Sequence, residues 1–279
     1  SCLCATRKTS TLKKSYAAAN GRRCWSGCDM AEYRRFFVPP ESADADGRVI
    51  VDGNEFAHLK KVLRMREGDK AVVCFNDGLD RFCEIERIEN NRALLRVVET
   101  RLNAAEFGTK ITLYQALMKG DKFDFCVQKA VELGVGEIVP FESRFIVAKW
   151  DVKKTDRYRR IAFEASKQCG RSRLAGVENC VGFEELIERL RRHETVIFCN
   201  ETERGNKLLK ALDAISAPKD MAVVIGSEGG FSPEEIGEIS RLKNAVSVSF
   251  GKRILRAETA SVFALSVISA WLDGLSEEN

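Results

Sequence analysis

The chain has 279 residues, which is enough for one large domain or two ordinary ones. Its hydrophobic fraction of 44% is that of a globular protein, and no apolar run approaches the roughly 18 residues of a membrane-spanning helix, so we expect no membrane partner. The formal net charge of +4 depends on residues 1–28, which are basic and contain no acidic residue. The rest of the chain is slightly acidic, so a nucleic-acid partner has to be argued from local clusters of charge.

The first 29 residues differ from the rest of the chain. They are basic, rich in Ser and Thr, and show no apolar periodicity. This composition is typical of an organelle transit peptide, which would place the protein in a plastid or a mitochondrion. It also fits translated upstream sequence or a non-native remnant, with Met30 as the natural start, and we favour this interpretation. On either interpretation we predict that residues 1–29 are disordered.

Residues 30–105 are predicted to form a small β-barrel domain. Five short apolar stretches with tight turns between them predict strands: "RRFFVP", "RVIV", "DKAVVCF", "RFCEIERI" and "RALLRVV". Asp77-Gly78, between the third and fourth stretches, is a strong hairpin signal. One helix is predicted in "NEFAHLKKVLRM", with Phe56, Leu59, Val62 and Leu63 on its apolar face. The segment "RLNAAEFGT" then indicates a linker.

From residue 106 to residue 279 the pattern changes to strands that alternate with longer helices, which is typical of a parallel sheet. The predicted strands are "ITLYQAL", "EIVPF", "TVIFCNE", "AVVIG" and "AVSVSFG". Helices are predicted in "DKFDFCVQKAVELG", which ends at Gly134, in "TDRYRRIAFEASKQCG", and from Arg256 to Trp271. The sequence therefore predicts an α/β domain after the barrel.

The cysteines do not form a metal-binding pattern. Ten are present, but no two form a C-x-x-C pair, and His58 and His193 are far apart in the sequence, so we expect no metal site. Five cysteines fall within predicted strands or helices, where a free thiol behaves as a small buried apolar group: Cys74, Cys83, Cys126, Cys169 and Cys199. Unpaired thiols favour a reducing compartment, so we expect a cytoplasmic protein.

Three predicted strands of the α/β domain end in loops with small or polar residues: "CNETERG", "GSEGGFS" and "FGKRILRAET". Ligands of an open parallel sheet lie at the carboxyl ends of its strands, so these loops are candidates for one site. The helix after the second loop is well specified, because Ser232 suits the N-cap, Pro233 the first position, and Glu235 completes a capping box.

The loops do not match a phosphate-binding motif. The second loop fails G-x-G-x-x-G, and Gly251-Lys252 is followed by Arg253 where a P-loop needs Ser or Thr. Glycines still allow the backbone to approach a flat ligand closely, and an acid such as Glu228 tolerates a cation. The spacing by itself predicts a nucleoside-binding α/β domain, and S-adenosylmethionine, which has a sulfonium and no phosphate, fits both features.

Five blocks of the sequence resemble one known family. "VVIGSEGGFSPEE" and "VSVSFGKRILRAETA" resemble the signature of the bacterial 16S rRNA uracil-N3 methyltransferases, within the SPOUT (α/β-knot) superfamily. "KAVELGVGEIVP" and "EASKQCGRSR" look like two further blocks, and "RRFFV" with "HLKKVLRMREGD" looks like the family's PUA-like barrel. The resemblance covers about residues 34–274. Ser227, Phe250 and Ala175 depart from the usual residues, and these departures concern geometry more than chemistry.

The resemblance implies a PUA-like barrel followed by a trefoil-knotted SPOUT domain, an obligate homodimer, and S-adenosylmethionine held by the three loops. The cofactor-binding residues it implies are Glu201, Gly226, Glu228, Gly229, Gly230, Phe250, Gly251, Ile254 and Leu255. Glu228 is expected either beside the sulfonium or in a hydrogen bond that holds a neighbouring loop. The implied reaction is methylation of N3 of uridine 1498 in 16S rRNA, on the assembled 30S subunit.

No histidine is well placed as a general base, so positioning and charge stabilisation are expected to carry the catalysis. Arg256 is the candidate cation, and Glu258 could accept the proton or orient Arg256. RNA contacts are expected from Arg34, Arg35, Lys60, Lys61, Arg64 and Arg66 in the barrel, and from Arg171 and Arg173 near the site. Two rival functions remain open, an RNA ribose 2′-O-methyltransferase of the same superfamily and a non-catalytic ribosome-assembly factor.

Overall fold

The computed structural model describes residues 33–44, 46–216 and 218–277. The predictions on residues 1–29 lie outside this part of the chain. Residues 34–279 belong to one compact unit, which contains two β-sheets. Within the described ranges, no helix is long and apolar enough to cross a membrane, and no cluster of three or more His, Cys, Asp and Glu side chains could hold a metal ion.

The first sheet is the curled sheet of the predicted barrel. Its strands are β1 (Arg34–Phe37), β2 (Arg48–Asp52), β3 (Lys70–Cys74), β4 (Leu79–Ile88) and β5 (Arg92–Leu102), in the order β1-β3-β4-β5-β2. Only the β1–β3 pair is parallel. Phe36, Ile85 and Leu95 fill the core of this sheet. The predicted hairpin joins β3 to β4, and Asn76 and Gly78 both have a positive φ there, as such turns require.

The helix predicted over residues 54–65 is shorter and irregular. An α-helical turn, α1 (Gly53–Ala57), is followed by a π-helical turn at His58–Val62, in which the Leu63 amide donates to the His58 carbonyl at 3.0 Å. A π-turn inserts an extra residue and so rotates the following side chains. Leu59 is buried, as predicted. Val62 is 68% exposed, so the prediction that Val62 lies on the apolar face was wrong.

The second sheet is parallel throughout, as predicted. Its strands are β6 (Lys110–Ala116), β7 (Glu137–Phe141), β8 (Gly176–Val177), β9 (Thr195–Cys199), β10 (Asp220–Ile225) and β11 (Ala245–Val248). Their order is β11-β9-β10-β6-β7-β8. Both faces are covered: Leu113 and Val223 face one apolar core, and their neighbours Tyr114 and Val224 face the other. Burial on both faces explains the continuous apolar runs of these strands.

In the described part of the chain, six α-helices accompany this sheet: α2 (Lys122–Glu132), α3 (Thr155–Gln168), α4 (Phe183–Leu190), α5 (Leu208–Asp213), α6 (Pro233–Ser240) and α7 (Ala257–Glu277). Gly134 ends the α2 region with a φ of 89°, as predicted. The helices α4 and α5 and the two-residue strand β8 were not predicted from the sequence. The last helix extends six residues beyond its predicted end, and β5 extends through Leu102, which was predicted to lie in a linker.

Largely buried polar contacts link the part of the chain that forms the first sheet with the part that forms the second. Lys167 of α3 donates to both carboxylate oxygens of Glu55 in α1 at 3.0 Å, and to His58 Nδ1 at 3.3 Å. Its side chain is 9% exposed and that of Glu55 is 15% exposed. Asn103 forms a second link, because its Nδ2 donates to Asp80 and to the Gly170 carbonyl at 2.9 Å. The division at residue 105 into two domains remains a prediction.

Lys167→Ala is expected to lower the free energy of unfolding by about 3 kcal/mol, because it leaves the Glu55 carboxylate largely buried without its cation. Lys110→Ala is the control, since Lys110 forms an ion pair with Glu137 but its side chain is 59% exposed. This control should change stability by about 0.5 kcal/mol or less. Urea denaturation measures both variants, and equal losses would contradict the role assigned to Lys167.

Candidate functional site

The carboxyl ends of β9, β10 and β11 lie side by side, because β9 pairs with both of the other strands. The loops that follow these strands, together with the start of α7, enclose a cavity of about 520 Å³. Binding sites for small molecules and cofactors commonly have volumes of about 300 to 1,000 Å³. The cavity therefore has the size and the position in the sheet that a nucleoside-sized ligand requires.

All nine residues proposed to bind the cofactor line this cavity: Glu201, Gly226, Glu228, Gly229, Gly230, Phe250, Gly251, Ile254 and Leu255. The structure thus brings together residues that are up to 54 positions apart in the sequence. Ile254 is 99% exposed, and such a side chain would gain from contact with an apolar ligand surface. The assignment of individual residues to a cofactor remains a proposal.

The loop after β10 is a tight turn. The Gly230 amide donates to the Ser227 carbonyl at 3.1 Å, and Gly230 has a φ of 70°. A Cβ on Gly230 would lie 1.8 Å from Oε1 of Glu201, and one on Gly229 would lie 2.8 Å from Cβ of Phe145. The positive φ therefore favours glycine at Gly230, where the Glu201 side chain can move aside, and the contact with Phe145 leaves no space for a Cβ at Gly229.

The predicted capping box at the start of α6 is present. Ser232 accepts a hydrogen bond from the Glu235 amide, and Glu235 accepts one from the Ser232 amide. The buried Glu235 carboxylate also accepts from Ser143 Oγ at 3.2 Å and from the Arg144 amide at 2.8 Å. It thereby holds the segment after β7 against the start of α6. The cap was predicted from the sequence, but this second use of Glu235 was not.

Gln115 is a further residue that the sequence analysis missed. It is fully buried in β6, where its Nε2 donates to the Gly226 carbonyl at 3.3 Å and its Oε1 accepts from Ser261 Oγ at 2.5 Å. Gln115 therefore connects the loop after β10 with α7. The available signal was a single polar residue inside the apolar run "ITLYQAL", because a buried amide needs hydrogen-bond partners.

Glu228 holds a neighbouring loop. Its Oε1 accepts from Lys122 Nζ at 2.8 Å and from the Lys119 amide at 3.4 Å, across the turn between β6 and α2. Partial burial by itself would raise the pKa of the Glu228 carboxyl group. The hydrogen bonds from Lys122 and from the backbone have the larger combined effect, so its pKa lies below the ordinary value. Glu228 was expected either to lie beside the sulfonium or to hold a neighbouring loop, and the structure shows the contact with the loop directly. Glu228 also lines the cavity.

The two proposed catalytic residues lie in different environments. Arg256 lines the cavity, is exposed, and forms no ion pair with any residue that the structure describes. Glu258 is not among the lining residues. Its Oε2 is buried without a hydrogen-bond partner and lies 3.8 Å from Lys122 Nζ. Arg256 is thus available to a ligand in the cavity, whereas the Glu258 carboxylate is directed towards Lys122.

Two of the eight residues proposed to contact RNA are used inside the protein. Arg35 forms a buried ion pair with Asp80, and Arg171 forms one with Glu106 at 3.0 Å. Their side chains are only 9% and 5% exposed, so the structure argues against the RNA contacts predicted for them. The sequence could not show this, because charge in a sequence does not reveal an acidic partner many residues away. The other six are exposed: Arg34, Lys60, Lys61, Arg64, Arg66 and Arg173.

The sequence matches two family descriptions. Residues 105–269 match "RNA methyltransferase domain", and residues 51–98 match "RNA methyltransferase PUA domain". A ribosomal RNA small subunit methyltransferase E from Bacillus subtilis is 32% identical over 227 residues, which cover 78% of this chain and 88% of that protein. The chain therefore belongs to the family of PUA-containing RNA methyltransferases that includes the ribosomal RNA small subunit methyltransferase E proteins.

Solved structures give the same result for the fold. A ribosomal RNA small subunit methyltransferase E from Neisseria gonorrhoeae, bound to S-adenosyl methionine, has a TM-score of 0.73 and 28% identity. A methyltransferase from Legionella pneumophila, solved with the bound cofactor SAM, has a TM-score of 0.71 and 29% identity. Each comparison covers 85% of this chain and 97% of the other chain. The fold class predicted from the sequence, an α/β domain preceded by a PUA-like β-domain, is confirmed.

Glu228 is expected to stabilise the fold in a pH-dependent way. Because its folded pKa is lowered, its contribution is complete above the ordinary value of 4.5 and is lost as the pH falls through the folded pKa. The difference in unfolding free energy between the parent protein and Glu228→Gln should therefore be constant between about pH 6 and 8 and should shrink in acid. Urea denaturation across this range measures it, and a difference that grew in acid would contradict the ion pair.

Proposed function

We propose that the protein is an S-adenosylmethionine-dependent methyltransferase of small-subunit ribosomal RNA, and that it methylates N3 of one uridine. We further propose that it acts as a homodimer on the assembled 30S subunit in the cytoplasm. The names of its relatives support the RNA class, and two related structures solved with S-adenosyl methionine support the cofactor. The observation that carries the proposal is the single cavity in which loops from three adjacent strands converge.

The cavity suits S-adenosylmethionine chemically. Phe250, Ile254 and Leu255 offer apolar surface to an adenine ring, and the turn around Gly230 offers backbone groups at close approach. The Glu228 carboxylate supplies negative charge near a sulfonium or an ammonium group. Bound there, the cofactor would supply an electrophilic methyl group. A phosphate-bearing nucleotide fits less well, because the loops have no phosphate-binding motif.

We assign to Arg256 the stabilisation of charge on the substrate. Methylation at N3 replaces the N3–H proton, which passes to water, so negative charge develops on the uracil ring as this proton leaves. A guanidinium group at the cavity can interact with that charge, and preorganised interactions of this kind contribute strongly to catalysis. Glu258 does not line the cavity, so we do not propose it as the acceptor of the N3 proton.

The exposed basic residues of the barrel are proposed to contact the rRNA backbone. Lys60 and Lys61 lie in the π-helical turn, and Arg64 and Arg66 follow it directly. Arg64 has a φ of 54°, an uncommon conformation for a residue other than glycine. Contacts of basic side chains with phosphate position an RNA substrate and do not by themselves select the base. Base selection would then take place at the cavity.

Methylation of 30S subunits that lack the modification tests the function. Incubation with labelled S-adenosylmethionine, followed by mass spectrometry of the nucleosides, is expected to yield 3-methyluridine. A ribose-methylated nucleoside would overturn the proposed acceptor atom. Binding of S-adenosylmethionine without transfer to any rRNA would instead favour a non-catalytic role in ribosome assembly.

Arg256→Ala is expected to lower the single-turnover rate by about a hundredfold or more at saturating cofactor and substrate, as is typical when one such stabilising group is removed. Cofactor affinity and melting temperature should change little, because Arg256 forms no ion pair within the described residues. Arg256→Lys should recover little activity, since an ammonium group lacks the planar fork. Arg241→Ala, an exposed arginine at the end of α6, is the control, and an unchanged rate in Arg256→Ala would eliminate the assignment.

Gly230→Val is expected to abolish measurable cofactor binding. The added side chain must displace the Glu201 carboxylate, which lies 1.8 Å from the new Cβ position, and must adopt a φ that valine avoids. Gly182→Val is the matched control, because no atom lies within 4 Å of a Cβ there. Isothermal titration calorimetry on both variants gives the affinities, with melting curves to show that each is folded. Unchanged affinity in folded Gly230→Val would show that this turn does not bind the cofactor.

A further inference from the structure

Lys122, the first residue of α2, lies between carboxylates from two other segments of the site. Its Nζ is 2.8 Å from Oε1 of Glu228, in the loop after β10, and 3.8 Å from Oε2 of Glu258, in the first turn of α7. The three residues are far apart in the sequence, and no role was predicted for Lys122. One ammonium group thus connects three separate segments around the cavity.

The two carboxylates depend on Lys122 to different degrees. Glu228 also accepts from the Lys119 amide, so it retains one donor without Lys122. The Glu258 side chain is 16% exposed, and its buried Oε2 has no hydrogen-bond partner. Lys122 is therefore the nearest cation that offsets the charge of this oxygen. A buried charge without a partner is costly, so loss of Lys122 should displace the start of α7.

Both carboxylates belong to segments that shape the cavity. Glu228 lies inside the turn that the Gly230 amide closes onto the Ser227 carbonyl. Glu258 is two residues after Arg256, whose carbonyl accepts from the Ala260 amide at 2.8 Å in the same helical turn. A shift of Glu258 would therefore move Arg256. Lys122 itself does not line the cavity, so any effect it has on a ligand must act through these neighbours.

We propose that Lys122 is a positioning residue of the methyl-transfer site, which fixes the loop after β10 through Glu228 and the start of α7, with Arg256, through Glu258. This inference rests on the proposed function for its catalytic part. Its structural part concerns the protein without ligand and can be tested separately. The β6–α2 turn then supports the site from outside the cavity, although no residue of that turn was predicted to take part.

The test compares Lys122→Met, which removes the charge and keeps the length, with Lys122→Arg, which restores a cation. Lys129→Met is the matched control on the same helix, because Lys129 forms an ion pair with Glu132 at 2.8 Å and does not line the cavity. Amide hydrogen exchange of the protein without ligand is the first measurement. Lys122→Met should accelerate exchange at Gly230 and Ala260, whose amides close the turn and the first turn of α7. The control should leave both unchanged.

The second measurement is the single-turnover rate at saturating cofactor and 30S subunit. Lys122→Met should lower this rate at least about tenfold, since small displacements of a catalytic group are costly. Lys122→Arg should restore part of it. A residue that only supports the fold would lower the melting temperature and leave the rate of the folded fraction unchanged.

Pairing with Glu258 is tested by the double variant Lys122→Met/Glu258→Gln. If Lys122 acts by offsetting the Glu258 charge, removal of both charges should cost less than the sum of the two single losses in melting temperature. Normal exchange at Gly230 and Ala260 in Lys122→Met overturns the inference, whether or not the parent protein methylates rRNA. An inactive parent protein with accelerated exchange in Lys122→Met refutes the proposed function and leaves the structural part of the inference supported.

Discussion

The site depends on one constraint, the parallel direction of β9, β10 and β11. In a parallel sheet every strand ends at the same edge, and the order β11-β9-β10 makes these three strand ends neighbours. Loops that are distant in the sequence therefore become neighbours through the strand order alone. Contacts between their side chains are not needed to bring them together. The strands themselves are fixed by burial of apolar residues on both faces, so the edge is held by the core of the domain.

Buried polar groups then fix the loops that the sheet has brought together. Gln115 donates to the Gly226 carbonyl and accepts from Ser261 in α7. Glu235 accepts from the segment after β7 and from Ser232 at the start of α6, and both side chains are buried. A buried polar group without partners is unfavourable, so each of these side chains strongly favours one arrangement of the loops. The cavity is consequently formed in the protein without a ligand, which reduces the ordering that a ligand would have to impose.

Charged residues serve two separate purposes in this protein. Arg35, Arg171 and Lys167 are largely buried and hold segments of the chain together, whereas Lys61 and Arg66 are exposed on the barrel. These residues look equivalent in the sequence, since each is a basic residue near others of its kind. Their roles separate only when the acidic partner is known. Arg256 and Glu258 also differ in this way. Arg256 lines the cavity, whereas the Glu258 carboxylate is directed towards Lys122.

The sequence by itself determined the parallel sheet, the hairpin at Asp77-Gly78 and the α6 cap, because apolar periodicity, turn residues and capping residues are local signals. The nine residues proposed to bind the cofactor came instead from the resemblance to a known family. Local signals did not reveal the π-helical turn that exposes Val62, since a register shift within a helix leaves the composition unchanged. Only the tertiary structure decided the partners of Glu228, Arg35 and Lys122. An ion pair depends on distance in space, and residues 106 positions apart in the sequence become neighbours only after the sheet has formed.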